Sequence, residues 1–544
     1  MKKEGISVVL CDFACRPKGT VDTEKIAETL SRNELVGRVV RLPSPCRATD
    51  DAMKKVKSQV SGGKVLVAGC PLLDGPSDPK GFSRRVAEAL SLNPGDVLAF
   101  DVKSAVADLY GAAGDMESAV LKELAARIAI LSGKEPVTDG KVDVEDRTLV
   151  YGSGVSGLLA ALELARGGVP VDIVETPERL SSPGCLARLA EDPSLTTVLR
   201  QQVLEHPGVV PLADADAVRV ECREAGFEAR STGGDGAPGG APRAYGSIVF
   251  APERVEQPAP LEGALNLTEL YGRIQSGYKT AGTCVFLSDY GAPTSAEVFR
   301  DILEAALRIH RTRAAAVWVL LQNVQVCLTG QEELYGRCRE EGIVFVKYSG
   351  GLSVVSDFGD FTITGTDAQT GFPFQVAGPE TVVIPGAPSL SNPALAFAAS
   401  LKLRLYGESY SQPDSLWRLP NESNIPGVFT VGAARGNKVL EDIQADASSV
   451  AVSVIQRLAG VEIKESIPIV DTEKCVYCLT CVRVCPFGAM MKNPEEGVAA
   501  VNPAACQSCG VCIGECPAEA LRMRNLENDT LYGSFSILSG QEAG

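Results

Sequence analysis

Thr148-Leu-Val-Tyr151-Gly152-Ser-Gly154-Val-Ser-Gly157-Leu-Leu-Ala-Ala161 is the stretch that decides the fold. A short apolar run ends in a glycine cluster, and an alanine- and leucine-rich helical pattern follows directly. The pattern leads to a second apolar run, Val171-Asp-Ile-Val174, closed by Glu175, which stands 23 residues after Gly152. Strand, glycine turn, helix, strand and acid are the context of a dinucleotide fingerprint. Its glycines let the backbone approach a diphosphate at a helix N-terminus, and the acid takes the adenosine ribose. The candidate cofactor-binding residues are Gly152, Ser153, Gly154, Val155, Ser156, Gly157 and Glu175. The fingerprint alone leaves FAD and NAD open. A later run, Gly427-Val-Phe-Thr-Val-Gly432, reads as a closing strand that completes a flavin site, which favours FAD and adds Gly432 to the candidates.

Upstream, apolar runs at Val8–Leu10, Val65–Ala68 and Val97–Phe100 alternate with helical segments at Thr23–Leu30 and Phe82–Leu90. That rhythm predicts a separate α/β domain. It ends at a polar linker, Gly133-Lys-Glu-Pro-Val-Thr-Asp-Gly140. The run Ile6–Leu10 stops at Asp12, too short for a signal-peptide core, and reads as a buried first strand.

Downstream, Ser231 to Pro242 is rich in glycine and proline and reads as a flexible hairpin tip. From Asn266 a new series begins, with strands at Thr283–Leu287 and Ala316–Leu320 around a helix from Ala296 to Ile309. It reads as a nucleotide-fold unit inserted into the first. Its loop Tyr290-Gly-Ala-Pro-Thr-Ser295 holds one glycine where a pyridine-nucleotide fingerprint would stand, so the residues do not ask for NAD(P)H. The chain returns through Thr381–Ile384 and Gly427–Gly432 to a helix ending at Leu458. The expected organisation is an N-terminal α/β domain (1–138) and a Rossmann-like FAD domain in two parts (139–265 and 381–462). An inserted nucleotide-fold unit (266–380), a C-terminal ferredoxin-type domain (463–528) and a tail (529–544) complete it.

The ferredoxin assignment rests on the cysteines of 463–528. Cys475-x2-Cys478-x2-Cys481-x3-Cys485-Pro486 is followed by Cys506-x2-Cys509-x2-Cys512-x3-Cys516-Pro517. A tight loop brings three thiolates onto one [4Fe-4S] cube, and the fourth cysteine reaches across to the other. One cluster then takes Cys475, Cys478, Cys481 and Cys516, and the other takes Cys506, Cys509, Cys512 and Cys485. A pair of zinc sites would not ask for the proline after each fourth cysteine. Cys11, Cys15, Cys46 and Cys70 all fall in the first domain, with Cys11 and Cys70 at the ends of predicted strands, where one edge of an α/β sheet could gather the four around a third cluster; small buried core residues are the alternative. Cys185, Cys222, Cys284, Cys327 and Cys338 are isolated, with Cys222, Cys284 and Cys327 in strand-like runs, and read as packing residues.

Bulk composition agrees. The chain has 544 residues, 45% hydrophobic and 22% charged, with a formal charge of -16. Such a surface disfavours nucleic acid, and no run is long enough for a membrane span. Seventeen cysteines without an export signal point to a reducing, cytoplasmic setting. Only His206 and His310 are available, so chemistry built on histidine bases is disfavoured.

Taken in order, these residues resemble the HdrA-like family, the flavin-bearing chains of heterodisulfide reductase and their relatives in anaerobes. The resemblance covers Cys11-Asp-Phe-Ala-Cys15, Gly19-Thr-Val-Asp22, Gly152 to Glu175, Gly427 to Gly432, Gly436-Asn-Lys438-Val-Leu440 and the paired ferredoxin motifs. It implies an oxidoreductase subunit whose flavin takes electron pairs and can split them, with iron–sulfur chains leading to other redox subunits of a complex, ferredoxin among the candidate partners. It also implies a catalytic role for Lys438, as a positive charge beside the flavin. Two departures stand out. After Glu175 the family's cysteine-rich stretch is replaced by Ser181-Ser-Pro-Gly-Cys185, and the inserted unit has Phe286-Leu-Ser-Asp289 in place of a cysteine cluster. A non-bifurcating relay subunit that docks partner redox proteins, and a stand-alone NAD(P)H-dependent flavin reductase, are the alternatives.

Overall fold

The computed structural model describes residues 5–12, 22–43, 49–60, 63–69, 82–102, 116–134, 141–176, 194–212, 218–223, 226–231, 241–277, 282–313, 316–357, 360–407, 410–413, 418–436, 439–464 and 466–539. They form two compact units. One holds the N-terminal domain and most of the cysteine-rich tail; the other holds 143–461 and a short piece, 486–489.

In the first unit, β1 (Ile6–Cys11), α1 (Thr23–Ser31), β2 (Val36–Leu42), α2 (Thr49–Gln59), β3 (Val65–Gly69), α3 (Phe82–Leu90), β4 (Val97–Asp101) and α4 (Met116–Gly133) follow in sequence. The strands form a parallel sheet in the order β2-β1-β3-β4. Strands β1 and β3 are buried along their whole length, which is why they read as unbroken apolar runs rather than alternating ones. Successive side chains still serve opposite faces. Ile6, Val8 and Leu10 pack on Leu124 and Ile128 of α4, whereas Val9 packs with Val56 and Val86 on the other side. Asp22 caps α1 by accepting the N–H groups of Glu24 and Lys25.

The second unit contains β5 (Thr148–Tyr151), α5 (Val155–Arg166), β6 (Val171–Val174), α6 (Leu195–Leu204), β7 (Val209–Leu212), β8 (Val218–Arg223), β9 (Gly226–Ser231), β10 (Arg243–Tyr245) and β11 (Ser247–Phe250). The insert follows with α7 (Leu267–Gln275), β12 (Cys284–Leu287), α8 (Ala296–Arg313), β13 (Val317–Leu321), α9 (Gln331–Glu340), β14 (Val344–Asp357), β15 (Asp360–Asp367), β16 (Pro373–Ala377) and β17 (Thr381–Val383). The return is made by α10 (Asn392–Ser400), β18 (Val428–Thr430) and α11 (Leu440–Leu458). A five-stranded parallel sheet, β18-β11-β5-β6-β7, carries the fingerprint strand β5 at its centre. On one face α5 and α11 pack together through Leu158, Ala161, Val450 and Val454. On the other, Tyr151 stacks on Phe397 with ring centroids 4.0 Å apart. The chain therefore leaves and re-enters one sheet around the insert, but Thr381–Val383, expected in the returning half, pairs with β12 as the edge strand of the insert instead.

The insert is a six-stranded sheet, β16-β15-β14-β13-β12-β17. Strands β17, β12, β13 and the first part of β14 are parallel. The second part of β14 turns into an antiparallel meander with β15 and β16. That meander was not foreseen from the sequence. Its register shifts between Ser349 and Ser353, where Gly350 takes a φ of +72° that only glycine adopts readily. The glycine-rich segment joins two partnered strands, with Phe227 opposite Tyr245 and Ala229 opposite Arg243; residues 232–240 within it lie outside the described residues.

The cysteine-rich tail holds β19 (Pro468–Val470), α12 (Thr480–Val484), β20 (Met490–Asn493), β21 (Val498–Val501), α13 (Val511–Gly514), β22 (Leu521–Met523) and a terminal helix, α14 (Asn528–Ser539). Strand β19 pairs antiparallel with β22, and β20 with β21.

Candidate functional site: two cysteine quartets and a dinucleotide cradle

Each cysteine of the second motif lies 31 residues after its counterpart in the first. The backbone repeats at the same interval. Tyr477 and Ser508 both have left-handed φ (53° and 55°), as do Leu479 and Gly510 (60° and 76°) and Gly488 and Glu519 (63° and 49°). A non-glycine residue in this region costs about 1 kcal/mol or more, so Tyr477, Leu479, Ser508 and Glu519 are held there by the loops around them. The first two pairs flank the middle cysteine of each loop and turn the chain there, whereas Gly488 and Glu519 lie three residues after the fourth cysteine. Asp471 and Asn502 open the two loops alike. Asp471 accepts the N–H of Cys475 on its backbone oxygen and Asn502 accepts that of Cys506.

A small pocket, partly open to solvent, is lined by Cys475, Cys478, Cys481 and Cys516, with Val470, Leu479, Ala499 and Pro517 among its apolar walls. This is the first quartet expected from the spacing. The second is marked by electrostatics. Burial first, then the neighbouring thiols of Cys485, Cys506 and Cys509, push the Cys512 thiol up to about 12. Cys506 is raised by burial, with Cys485 and Cys509 adding to the effect. Cys485 therefore stands with the second motif and Cys516 with the first. Among the described residues no group of three or more such side chains closes on a single metal ion; the first quartet surrounds a space instead. Thiols that burial holds protonated in the bare protein are released by a cation that takes the thiolates, and an iron–sulfur cube fits both the donor type and the apolar walls. Backbone N–H groups also face the sulfurs, Ser508 to Cys506 at 3.4 Å and Ala520 to Cys516 at 3.3 Å.

The remaining cysteines divide. Cys284 and Cys338 are fully buried, and burial pushes both thiols up to about 12, so they are packing residues as expected. Cys222 is half-buried on β8. Cys327 is exposed in the segment after β13 and not in a strand. The alternating Asn323-Val-Gln-Val-Cys327 imitates a strand, but β13 has already ended at Leu321. Cys11 is buried at the end of β1, whereas Cys15, Cys46, Cys70 and Cys185 lie outside the described residues.

The dinucleotide cradle is built by three close approaches. Gly152 has a φ of +122°, and a Cβ there would stand 2.2 Å from the Ala251 carbonyl oxygen. A Cβ on Gly157 would fall 1.9 Å from the Gly152 oxygen. Gly154 is the N-cap of α5 and supplies no capping side chain; a Cβ on it would strike Glu253 Cγ at 2.1 Å. Val155 and Ser156 are buried as the first residues of α5. Ser153 is locked to Thr176, whose N–H it accepts at 3.0 Å. Glu175, at the end of β6, is paired with Arg200 of α6. Gly432 closes in from the far end of the domain: its φ is +59°, a Cβ there would meet Ser156 Oγ at 2.3 Å, and its N–H goes to Asp446. Lys438 lies outside the described residues.

The close approaches at Gly152, Gly154 and Gly157 fit a dinucleotide in backbone frame, and the helix N-terminus they open is already taken by an anion of the protein. The carboxylate of Glu253, 1% exposed, accepts the Ser156 N–H at 2.9 Å. Glu253, Arg254 and Asp446 were not singled out from the sequence. The signal available was an acid and a base directly after the buried strand Ser247–Phe250. Arg254 is buried as well, donates to the Pro388 oxygen at 2.7 Å and faces the Tyr410 ring at 5.9 Å; burial pushes its guanidinium down to about 10, still charged at neutral pH.

A carboxylate also answers the backbone donors at the corresponding edge of the insert. Asp289, at the C-terminal end of β12 with a φ of 63°, accepts the N–H groups of Thr294, Gln322 and Asn323 at 2.8, 2.9 and 3.1 Å. The backbone donors at this sheet edge are answered by the protein itself.

Comparison with known proteins agrees with the cysteine geometry. A family model described as a 4Fe-4S dicluster domain matches residues 467–517. An A-subunit-like heterodisulfide reductase protein of Archaeoglobus profundus is 32% identical over 162 residues, 29% of this chain and 23% of that protein. The second of two A-type iron–sulfur chains of CoB–CoM heterodisulfide reductase from Methanopyrus kandleri is 27% identical over 233 residues, covering 40% and 33%. Thioredoxin reductase from Lactococcus lactis superposes with a TM-score of 0.41 at 17% identity, over 58% of this chain and 99% of that one. The chain spans about a quarter to a third of the curated relatives it matches. It carries a 4Fe-4S dicluster domain and resembles the A-type chains of heterodisulfide reductases.

Proposed function

We propose that the protein is the flavin and iron–sulfur electron-transfer subunit of a larger oxidoreductase complex, with FAD in the Gly152–Gly157 cradle and two [4Fe-4S] clusters in the tail. The observation that carries this reading is the presence, on one chain, of a dinucleotide cradle with all three glycines in close approach and two cysteine quartets that exchange their fourth members. The similarity to the A-type chains of heterodisulfide reductases supports it. When bound, FAD would supply the exchange between two-electron and one-electron chemistry. The chain's own part is to hold the cofactor. Gly152, Gly154 and Gly157 admit the diphosphate, Glu175 stands where a ribose is taken, and the α5 N-terminus favours negative charge. Lys438 as a cation near the flavin, and a further cluster on Cys11, Cys15, Cys46 and Cys70, belong to the same reading.

Partner redox subunits, with ferredoxin among the candidates, would deliver and remove electrons, and the setting is cytoplasmic and anaerobic. No helix among the described residues is long and apolar enough to cross a membrane. Bifurcation at the flavin is the functional form that the resemblance points to. The reading is tested by anaerobic reductive titration of the purified protein, followed by visible and electron paramagnetic resonance spectra. Electrons should distribute between a bleaching flavin and reduced clusters on the same chain. A protein that reduces its clusters but shows no flavin transition would contradict it.

A further inference from the structure

Helix α5 has an unusual cap. Its N-cap, Gly154, has no side chain to offer, and the group that answers the Ser156 N–H comes from Glu253, 97 positions later and directly after β11. The contact is tight. Glu253 Cγ stands 2.1 Å from where a Gly154 Cβ would be, so only glycine at 154 admits the carboxylate. Glu253 is 1% exposed, and Ser156 is fully buried. The neighbouring donors are also committed: Ser153 N–H to Thr176 Oγ1, Gly432 N–H to Asp446 and Ala433 N–H to Ser156 Oγ. An anion is thus already installed at the point where a fingerprint helix receives a diphosphate.

We infer that Glu253 is an internal occupant of the diphosphate position: it competes with FAD for the Ser156 N–H, and its negative charge must leave Ser156 before FAD is seated. The inference rests on the flavin reading above. Two anions cannot share one N–H in a water-poor pocket, because the repulsion between them is poorly screened there. The helix N-terminus favours whichever anion occupies it, so the carboxylate competes with the cofactor directly. A cap whose only task is to satisfy α5 would behave otherwise, since glutamine offers the same acceptor oxygen without the charge.

The test is a titration of full-length protein, stripped of flavin and with its iron retained, with FAD in the wild type, Glu253→Gln and Glu253→Ala. Binding is read by quenching of flavin fluorescence and by calorimetry, and the unfolding temperature is recorded alongside. Competition predicts that Glu253→Gln binds FAD about tenfold tighter or more than the wild type and loads it faster. Equal or weaker binding by Glu253→Gln, with flavin still bound by the wild type, would overturn the inference and leave the flavin reading standing. Should Glu253→Ala fail to fold, the near-isosteric glutamine variant decides alone. If no form binds FAD while all retain iron, the flavin reading fails, and the inference falls with it.

Discussion

Cys516 lines the same cavity as Cys475, 41 residues earlier in the chain, while Cys485 stands among the thiols of the second motif. The two motifs are interlocked, each lending its last cysteine to the other. Substituting Cys516 by Ala should therefore remove the cluster held by Cys475, Cys478 and Cys481, and Cys485→Ala should remove the other. Each single variant should fall from about eight irons to about four or fewer, with a different resonance signal lost in each case. Iron analysis and spectra of the reduced variants check this. If Cys516→Ala loses the same signal as Cys506→Ala, the quartets are not crossed.

The cradle depends on a backbone contact that has no room to relax. Gly157→Ala places a methyl group 1.9 Å from the Gly152 carbonyl oxygen, so α5 must move off β5. A cost of about 3 kcal/mol is expected, lowering the unfolding temperature by about 6–12 °C. Flavin content should fall with it, and the iron of the tail should not. Calorimetry with flavin and iron analysis tests all three together.

Asp172 carries a buried charge in the same unit. It is fully buried on β6 and accepts Arg147 at 2.7 Å, Arg243 at 2.9 Å and the Tyr245 hydroxyl at 2.8 Å. The arginines are 35% and 51% exposed, so Asp172→Asn strands no buried charge and should cost about 1–3 kcal/mol through weakened hydrogen bonds. Burial first, then the hydrogen bond to Asp172, holds Tyr245 well above its ordinary range. A raised folded value means that this contribution to stability is complete below about pH 10, where the unfolded tyrosine begins to ionise, and is lost as pH rises further. The stability gap between wild type and Tyr245→Phe should be about 1–2 kcal/mol at about pH 8 and smaller at about pH 10.5. Chemical denaturation at the two pH values measures it, and a constant gap contradicts the assignment.

Asp289 bears on how electrons enter. Its carboxylate takes three backbone N–H groups at the insert's sheet edge, and the adjoining loop Tyr290–Ser295 holds one glycine in place of a dinucleotide fingerprint. NADH and NADPH should leave the flavin absorbance unchanged in anaerobic mixing, whereas dithionite should bleach it. Rapid bleaching by either nucleotide would instead support the stand-alone reductase.

Much of this was legible in the residues because the signals are local. The strand Thr148–Tyr151, the helix from Phe82 to Leu90 and the end of the last long helix at Leu458 were read to the residue, since glycine turns and apolar periodicity mark such boundaries within a few positions. The crossed quartets followed from spacing alone. What stayed hidden acts across long sequence separations. Glu253 meets Ser156 97 positions away, and Asp289 meets Asn323 34 positions away; nothing in the neighbourhood of either residue announces its partner. The meander of β14 to β16 was missed because Gly350 and Gly351 interrupt the apolar pattern inside a strand that is itself continuous. Cys327 was misplaced because alternation continues past the point where the sheet stops.

The central claim is that one chain joins a flavin to two iron–sulfur cubes. Its most direct measurement is cofactor stoichiometry after strictly anaerobic purification and reconstitution, with iron, acid-labile sulfide and extracted flavin counted per chain. The account predicts at least about eight irons, about eight sulfides and about one FAD. About eight irons with no flavin, or one FAD with about four irons, would contradict it.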